Sequence, residues 1–214
     1  MSKRQHRMER FGPTRRGGPV FRWLGEGLAI DLANTVMVVR DGEEFDLLAS
    51  REDLGRWLAA ERKRLGDCSF ALTHLDEIRA LRDAIRAVLF ATARQTAPPP
   101  EALERLNAAS AAAPVAMRLE TDSQGRLSID EVPAAADRVG RLLGSIAHSA
   151  ITLLRGPERA RLRVCDAPSC GMLFLGRRRW CSPACGNRAR AARHYRRARG
   201  RGTTAARRAK RGGG

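Results

Sequence analysis

Cys165, Cys170, Cys181 and Cys185 follow one another with the spacing C-x4-C-x10-C-x3-C. Two close pairs separated by a hairpin-length segment deliver four thiolates to one point, the pattern of a structural zinc site. All-thiolate ligation fills the tetrahedron and leaves no open position for water, so the expected Zn2+ is structural rather than catalytic. The alternatives for these residues are four free thiols or two disulfides. The fifth cysteine, Cys68, stands alone and reads as a half-buried thiol.

Each pair needs local structure to aim it. Asp166, Pro168 and Gly171 supply turn chemistry for a knuckle around the first pair. "MLFL" before Gly176 and "RRW" after it are predicted to pair as a short antiparallel hairpin. Ser182-Pro183 reads as an N-cap followed by a proline at the first helical position, which puts Cys185 in the first turn of a helix. Knuckle, hairpin and ligand-bearing helix together describe a treble-clef-like finger. His194, nine residues beyond Cys185, is read as an exposed helical histidine and not as a ligand.

The same helix is dense in arginine. At about 100° per residue, Arg188, Arg193, Arg196, Arg197 and Arg199 fall on one wide face, with Arg190 close by. Ala184, Ala191, Tyr195 and Ala198 gather on a narrow face expected to pack on the finger or the body. Residues 155–214 hold eighteen Lys and Arg against only Glu158 and Asp166, whereas residues 23–154 hold fifteen basic and twenty acidic residues. Charge so confined to one region is an electrostatic footprint for phosphates. Arg177, Arg178, Arg179 and Asn187 belong to the same candidate nucleic-acid surface. Duplex DNA is the leading partner, and RNA or a ribosomal surface the alternative.

The preceding region must carry the finger. Its apolar residues repeat at helical spacing over 51–65 behind an N-cap at Ser50, over about 73–92 behind Thr73, over a shorter segment from Pro100, and over a long segment between Pro133 and Arg155. "VAMRLETDSQGRLSID" alternates on both sides of Ser123-Gln124-Gly125 and predicts a β-hairpin. Residues 28–33, "LAIDLA", fit a strand and a helix equally, and Asp41-Gly42 signals a turn. The fold class expected is mainly α (α+β). A basic disordered arm covers residues 1–20, a helical body with a small β-hairpin 21–156, the finger with its basic helix 160–200, and a disordered basic tail 201–214.

No apolar run reaches the ~18 residues that a membrane span needs. The N-terminus is basic without an apolar stretch behind it, so no secretory signal is expected. The expected location is the cytoplasm, at the nucleoid. No glycine-rich phosphate loop, nucleophile elbow or HExxH motif is present, and no enzymatic activity is expected. Asp31 and Asn34 are polar residues in an apolar stretch. They are candidates for lining a ligand pocket, with hydrogen bonding to buried backbone as the alternative. A homodimer and a small-molecule effector of the body are further expected partners.

"WCSPACGNR", following "CDAPSC" and "LFL", resembles the CGNR zinc finger, named after Cys185, Gly186, Asn187 and Arg188. "LAIDLANTV", "FDLLASREDLGRWLAAE" and "LRDAIRAVLFA" resemble the ABATE-type domain, which precedes this finger in bacterial proteins described as candidate stress-induced transcription regulators. The resemblance implies that Cys165, Cys170, Cys181 and Cys185 ligate zinc, that the finger binds DNA, and that the body senses a signal or mediates assembly. The ten residues between the cysteine pairs are fewer than in many relatives.

Overall fold

The computed structural model describes residues 25–38, 43–133 and 137–211. The basic arm and the Asp41-Gly42 turn lie outside the described residues. Six α-helices and three two-stranded antiparallel sheets are found among them, so the protein is mainly α with small β-hairpins.

The ambiguous segment is a helix: α1, Leu28–Ala33, has every residue buried. The Asp31 amide donates to the Gly27 carbonyl (2.9 Å) and the Gly27 amide returns to the Asp31 carboxylate (3.4 Å), closing the first turn. The chain leaves through Asn34 and Thr35 into β1 (Val36–Val38), which pairs with β2 (Glu44–Asp46). Helix α2, Arg51–Leu65, starts where the sequence predicts, with Ser50 Oγ accepting from the Asp53 amide. A 3-10 turn over Ser69–Thr73 then precedes α3, Leu75–Arg94. Thr73 therefore closes that turn instead of capping α3. Helix α4, Pro100–Ala111, has proline in its first turn as predicted. The predicted hairpin is β3 (Val115–Thr121) with β4 (Leu127–Pro133), turned by Asp122, whose carboxylate accepts from the Gln124 and Arg126 amides. Helix α5, Arg138–Arg155, is capped by Asp137.

Helices α1, α3, α4 and α5 enclose the core, centred on Leu32, Ile78, Ile85, Leu89, Ile146 and Ala150. Two polar clusters sit at its edge. Arg82, only 4% exposed, grips Asp46 with two hydrogen bonds (2.6 and 3.1 Å). Burial alone would raise the Asp46 carboxyl, but the Arg82 hydrogen bonds outweigh it and hold the group below its ordinary range. The second cluster joins Asp31 and Glu61, each 1% exposed, through Arg64 (2.9 and 3.0 Å). Burial, reinforced by the neighbouring Asp31 charge, pushes Glu61 up to about 7 against the opposing effect of Arg64.

Glu61 thus retains a proton on folding between its ordinary 4.5 and about 7. Its contribution to stability is fully present below the lower value and is lost as pH rises through the upper one. At pH 8 the Glu61→Gln variant is expected to be more stable to denaturant than the native chain by about 1–3 kcal/mol, with the gain vanishing near pH 4. Equal stability of the two proteins at pH 8 would contradict this assignment.

Candidate metal centre and basic surface

The finger begins with β5 (Leu162–Val164), which pairs with β6 (Leu173–Leu175) in the register Leu162↔Leu175 to Val164↔Leu173. The sequence had "MLFL" pairing forward with "RRW"; the structure pairs it backward with β5 instead. The reason lies in the knuckle. Cys165 N–H donates to the Met172 carbonyl (2.9 Å), and left-handed backbone at Ser169 and Gly171 turns the chain between the first two cysteines. The hairpin therefore closes through the first cysteine pair. The later loop returns beside it, with the Asp166 amide donating to the Arg179 carbonyl (3.3 Å).

Strand β6 lies between two cores. Leu173 belongs to the main core and Phe174, facing the other way, to a smaller one made of Ala167, Met172, Ala189 and the four cysteines. The two-residue alternation of a strand makes this division possible. Two more contacts lock finger to body. Asn34 Nδ2 donates to the Leu173 carbonyl (2.9 Å), and the Leu173 amide donates to Asn34 Oδ1 (2.8 Å). Gly171 presses on β1: a Cβ there would stand 2.9 Å from Val38 Cγ2. Asn34 thus acts as a clamp between the two regions. Asp31, also a pocket candidate from sequence, is held by Arg64 and Gly27. Asn34 therefore bonds buried backbone, while one carboxylate oxygen of Asp31 takes the Arg64 and Gly27 contacts.

All four sulfurs lie within 4.8 Å of one another, and all four cysteines are buried. Cys170–Cys181, Cys181–Cys185 and Cys170–Cys185 are 3.6, 3.5 and 3.7 Å apart. A disulfide needs about 2.05 Å. A zinc tetrahedron with Zn–S bonds of about 2.3 Å has S···S edges of about 3.8 Å, so the donor set fits that ion. Crowding drives three of the thiols apart: hydrogen bonds from Cys170 and Cys181 hold Cys165 down to about 2, while the same sharing pushes Cys170 up to about 12 and Cys181 higher still. Donors already surround the sulfurs. The Cys181 amide reaches Cys165 Sγ (3.4 Å), and Arg188 Nη2 reaches Cys185 Sγ (3.2 Å).

Cys185 also decides how the basic helix lies. Helix α6, Pro183–Arg211, begins with the Cys185 amide donating to Ser182 Oγ (3.3 Å), the predicted cap. Its inward face carries Cys185, Gly186 and Ala189, with Ala192 half-buried. Of the face expected to pack, Ala184, Ala191 and Tyr195 are exposed, and the Ala198 side chain lies outside the described residues; a metal ligand fixes the rotation of the helix more firmly than a few alanines do. Arg188 is consequently half-buried against the sulfur, not on the open surface. The helix continues to Arg211 through the segment expected as a disordered tail, a run rich in the good helix formers Ala and Arg. Arg199 lies along it.

Arg177, Arg178, Arg179, Asn187, Arg190, Arg193, Arg196 and Arg197 are exposed. Trp180, which adjoins Cys181 in an aromatic-poor chain, links two of them. The guanidinium groups of Arg179 and Arg190 lie 6.0 and 5.8 Å from its ring centroid. Arg190 is held there by Asn187 Oδ1, which accepts from its Nη2. Gly186 makes room for the ring: a Cβ would stand 3.0 Å from Trp180 Cε3. Each residue of the Cys-Gly-Asn-Arg run therefore has its own task around one metal corner.

Cys181→Ser removes a sulfur 3.6 Å from Cys170 and 3.5 Å from Cys185, and is expected to abolish stoichiometric zinc binding and the helical CD of the finger, since metal affinity and folding are one equilibrium here. Unchanged metal content would exclude the site. Gly186→Ala, which stabilises an ordinary helix interior by about 1 kcal/mol, is expected to give no gain in thermal stability of the metal-loaded protein. A gain of that size would show that Trp180 does not pack on this position.

Comparison with known proteins agrees with this construction. The ABATE family model, whose description reads "Putative stress-induced transcription regulator", matches residues 26–157. The CGNR zinc finger model matches residues 161–198. The search of curated proteins finds no match. The chain belongs to the ABATE family and carries a CGNR zinc finger as its C-terminal region.

Proposed function

We propose that this chain is a transcription regulator that binds duplex DNA through the arginine surface of its finger, with zinc held by Cys165, Cys170, Cys181 and Cys185 as a structural brace. The carrying observation is the set of exposed arginines, Arg177–Arg179, Arg190, Arg193 and Arg197, of which Arg179 and Arg190 meet at the half-buried Trp180, in a region where carboxylates are nearly absent. Zinc would supply the folding energy that so small a core lacks; the arginines would do the contacting. No part of this reading calls for catalysis. No helix among the described residues is long and apolar enough to cross a membrane, and the reading places the protein on the nucleoid.

The body offers a place for an effector. A cleft of about 980 Å³ opens between the C-terminal end of α3, Leu103 of α4 and Leu154 of α5, and reaches Leu162 and Arg163 of β5. A ligand held there would touch the strand that leads into Cys165.

DNA affinity measured by fluorescence anisotropy should fall linearly with log salt, by about 0.9 per phosphate contacted. Arg190→Ala and Arg193→Ala should each reduce that slope by about 1. Arg188→Ala should act differently, by loosening the metal. A salt-independent affinity contradicts the proposal, and preference for structured RNA over duplex DNA in competition assigns the surface to the other nucleic acid.

A further inference from the structure

The β3–β4 hairpin is exposed from Val115 to Asp130, yet one of its faces is largely apolar. The register places Val115, Met117, Leu119, Leu127 and Ile129 on the same side, with Leu119 directly opposite Ile129; Thr121, opposite Leu127, and Glu131, opposite Met117, flank that centre. Met117, Leu119, Leu127 and Ile129 are 65, 68, 74 and 63% exposed. The other side has Ala116 opposite Val132 but is polar beyond them, with Arg118 opposite Asp130 and Glu120 opposite Ser128, and there Arg118 and Glu120 pair at 2.8 Å. An antiparallel sheet with one apolar face ordinarily buries it, and a two-stranded hairpin by itself is marginal in water. Something should cover this face.

We propose that a second copy of this chain covers it, the two hairpins packing apolar face to apolar face about a two-fold axis. Area is the first argument. The five side chains expose roughly 500 Å² per copy, at the upper end of the ~300–600 Å² that a monomer's largest patch reaches. Pairing two such faces buries up to roughly 1,000 Å², the lower limit of a specific interface. Chemistry is the second. A two-fold interface must complement itself, and Leu119 and Ile129 at the patch centre do so, each meeting the other across the axis. A polyanion is a poor occupant, because the arginine of these strands, Arg118, stands on the opposite face. The chain's own basic N-terminal segment is another poor one: residues 1–22 hold seven Lys and Arg and no apolar alternation. The pairing stands whether or not the finger binds DNA. If it does, each dimer carries two basic fingers, and engagement of the second becomes intramolecular.

Sedimentation of the full-length, zinc-loaded chain tests this. The native protein is expected to be a dimer at micromolar concentration, and the double variant Leu119→Glu/Ile129→Glu a monomer with unchanged zinc content and helical CD. Mixing it with Leu119→Lys/Ile129→Lys should restore a dimer, because opposite charges then meet across the axis. A native protein that is monomeric at all concentrations, or a dimer that survives the glutamates, overturns the proposal.

Discussion

Four sulfurs within 4.8 Å of one another are the constraint on which the C-terminal finger of this protein depends. Bare thiolates at that distance repel, and bare thiols leave a small core of a few apolar side chains with little to hold it. A divalent cation resolves both problems at once. The rotation of α6 then follows, since Cys185 must point inward, and Gly186 and Ala189 go with it. So does the direction of the arginines: those beyond the metal corner are carried into solvent, while Arg188 is drawn onto the sulfur.

The two family regions are packed as one. Leu162 and Leu173 of the finger are fully buried in the core of the body, and Asn34 pairs with the Leu173 backbone as a neighbouring strand would. Strand β6 therefore has body on one side and metal corner on the other. Any displacement of α1 or α3 would be felt at the knuckle without a long pathway. This arrangement gives a physical basis for coupling an event in the body to the finger.

Much of this was legible in the sequence, because its signals were local. Ser50 with Asp53, Ser182 with Pro183, and the alternation around Gly125 each specify an element from a few residues. The cysteine spacing specified the metal corner. What escaped was decided by tertiary contact. "LAIDLA" satisfies two periodicities, and its burial on every side under α3 and α5 selects the helix. The finger hairpin was assigned to the wrong partner because β5 contributes only three residues, too short to show a pattern. Glu61 was visible in hindsight: it continues the Leu54, Leu58, Leu65 spacing of α2, so a carboxylate was bound to fall on the buried face. Trp180 was missed as a platform because its two arginine neighbours come from different elements.

The central claim is that the metal corner presents the arginine surface. Its most direct measurement is nucleic-acid affinity at fixed salt while zinc is withdrawn by a chelator and then restored, with bound metal counted at each step. The account predicts that affinity falls in proportion to zinc lost and returns with it. Undiminished binding by the fully metal-free protein, with the same salt dependence, would contradict it.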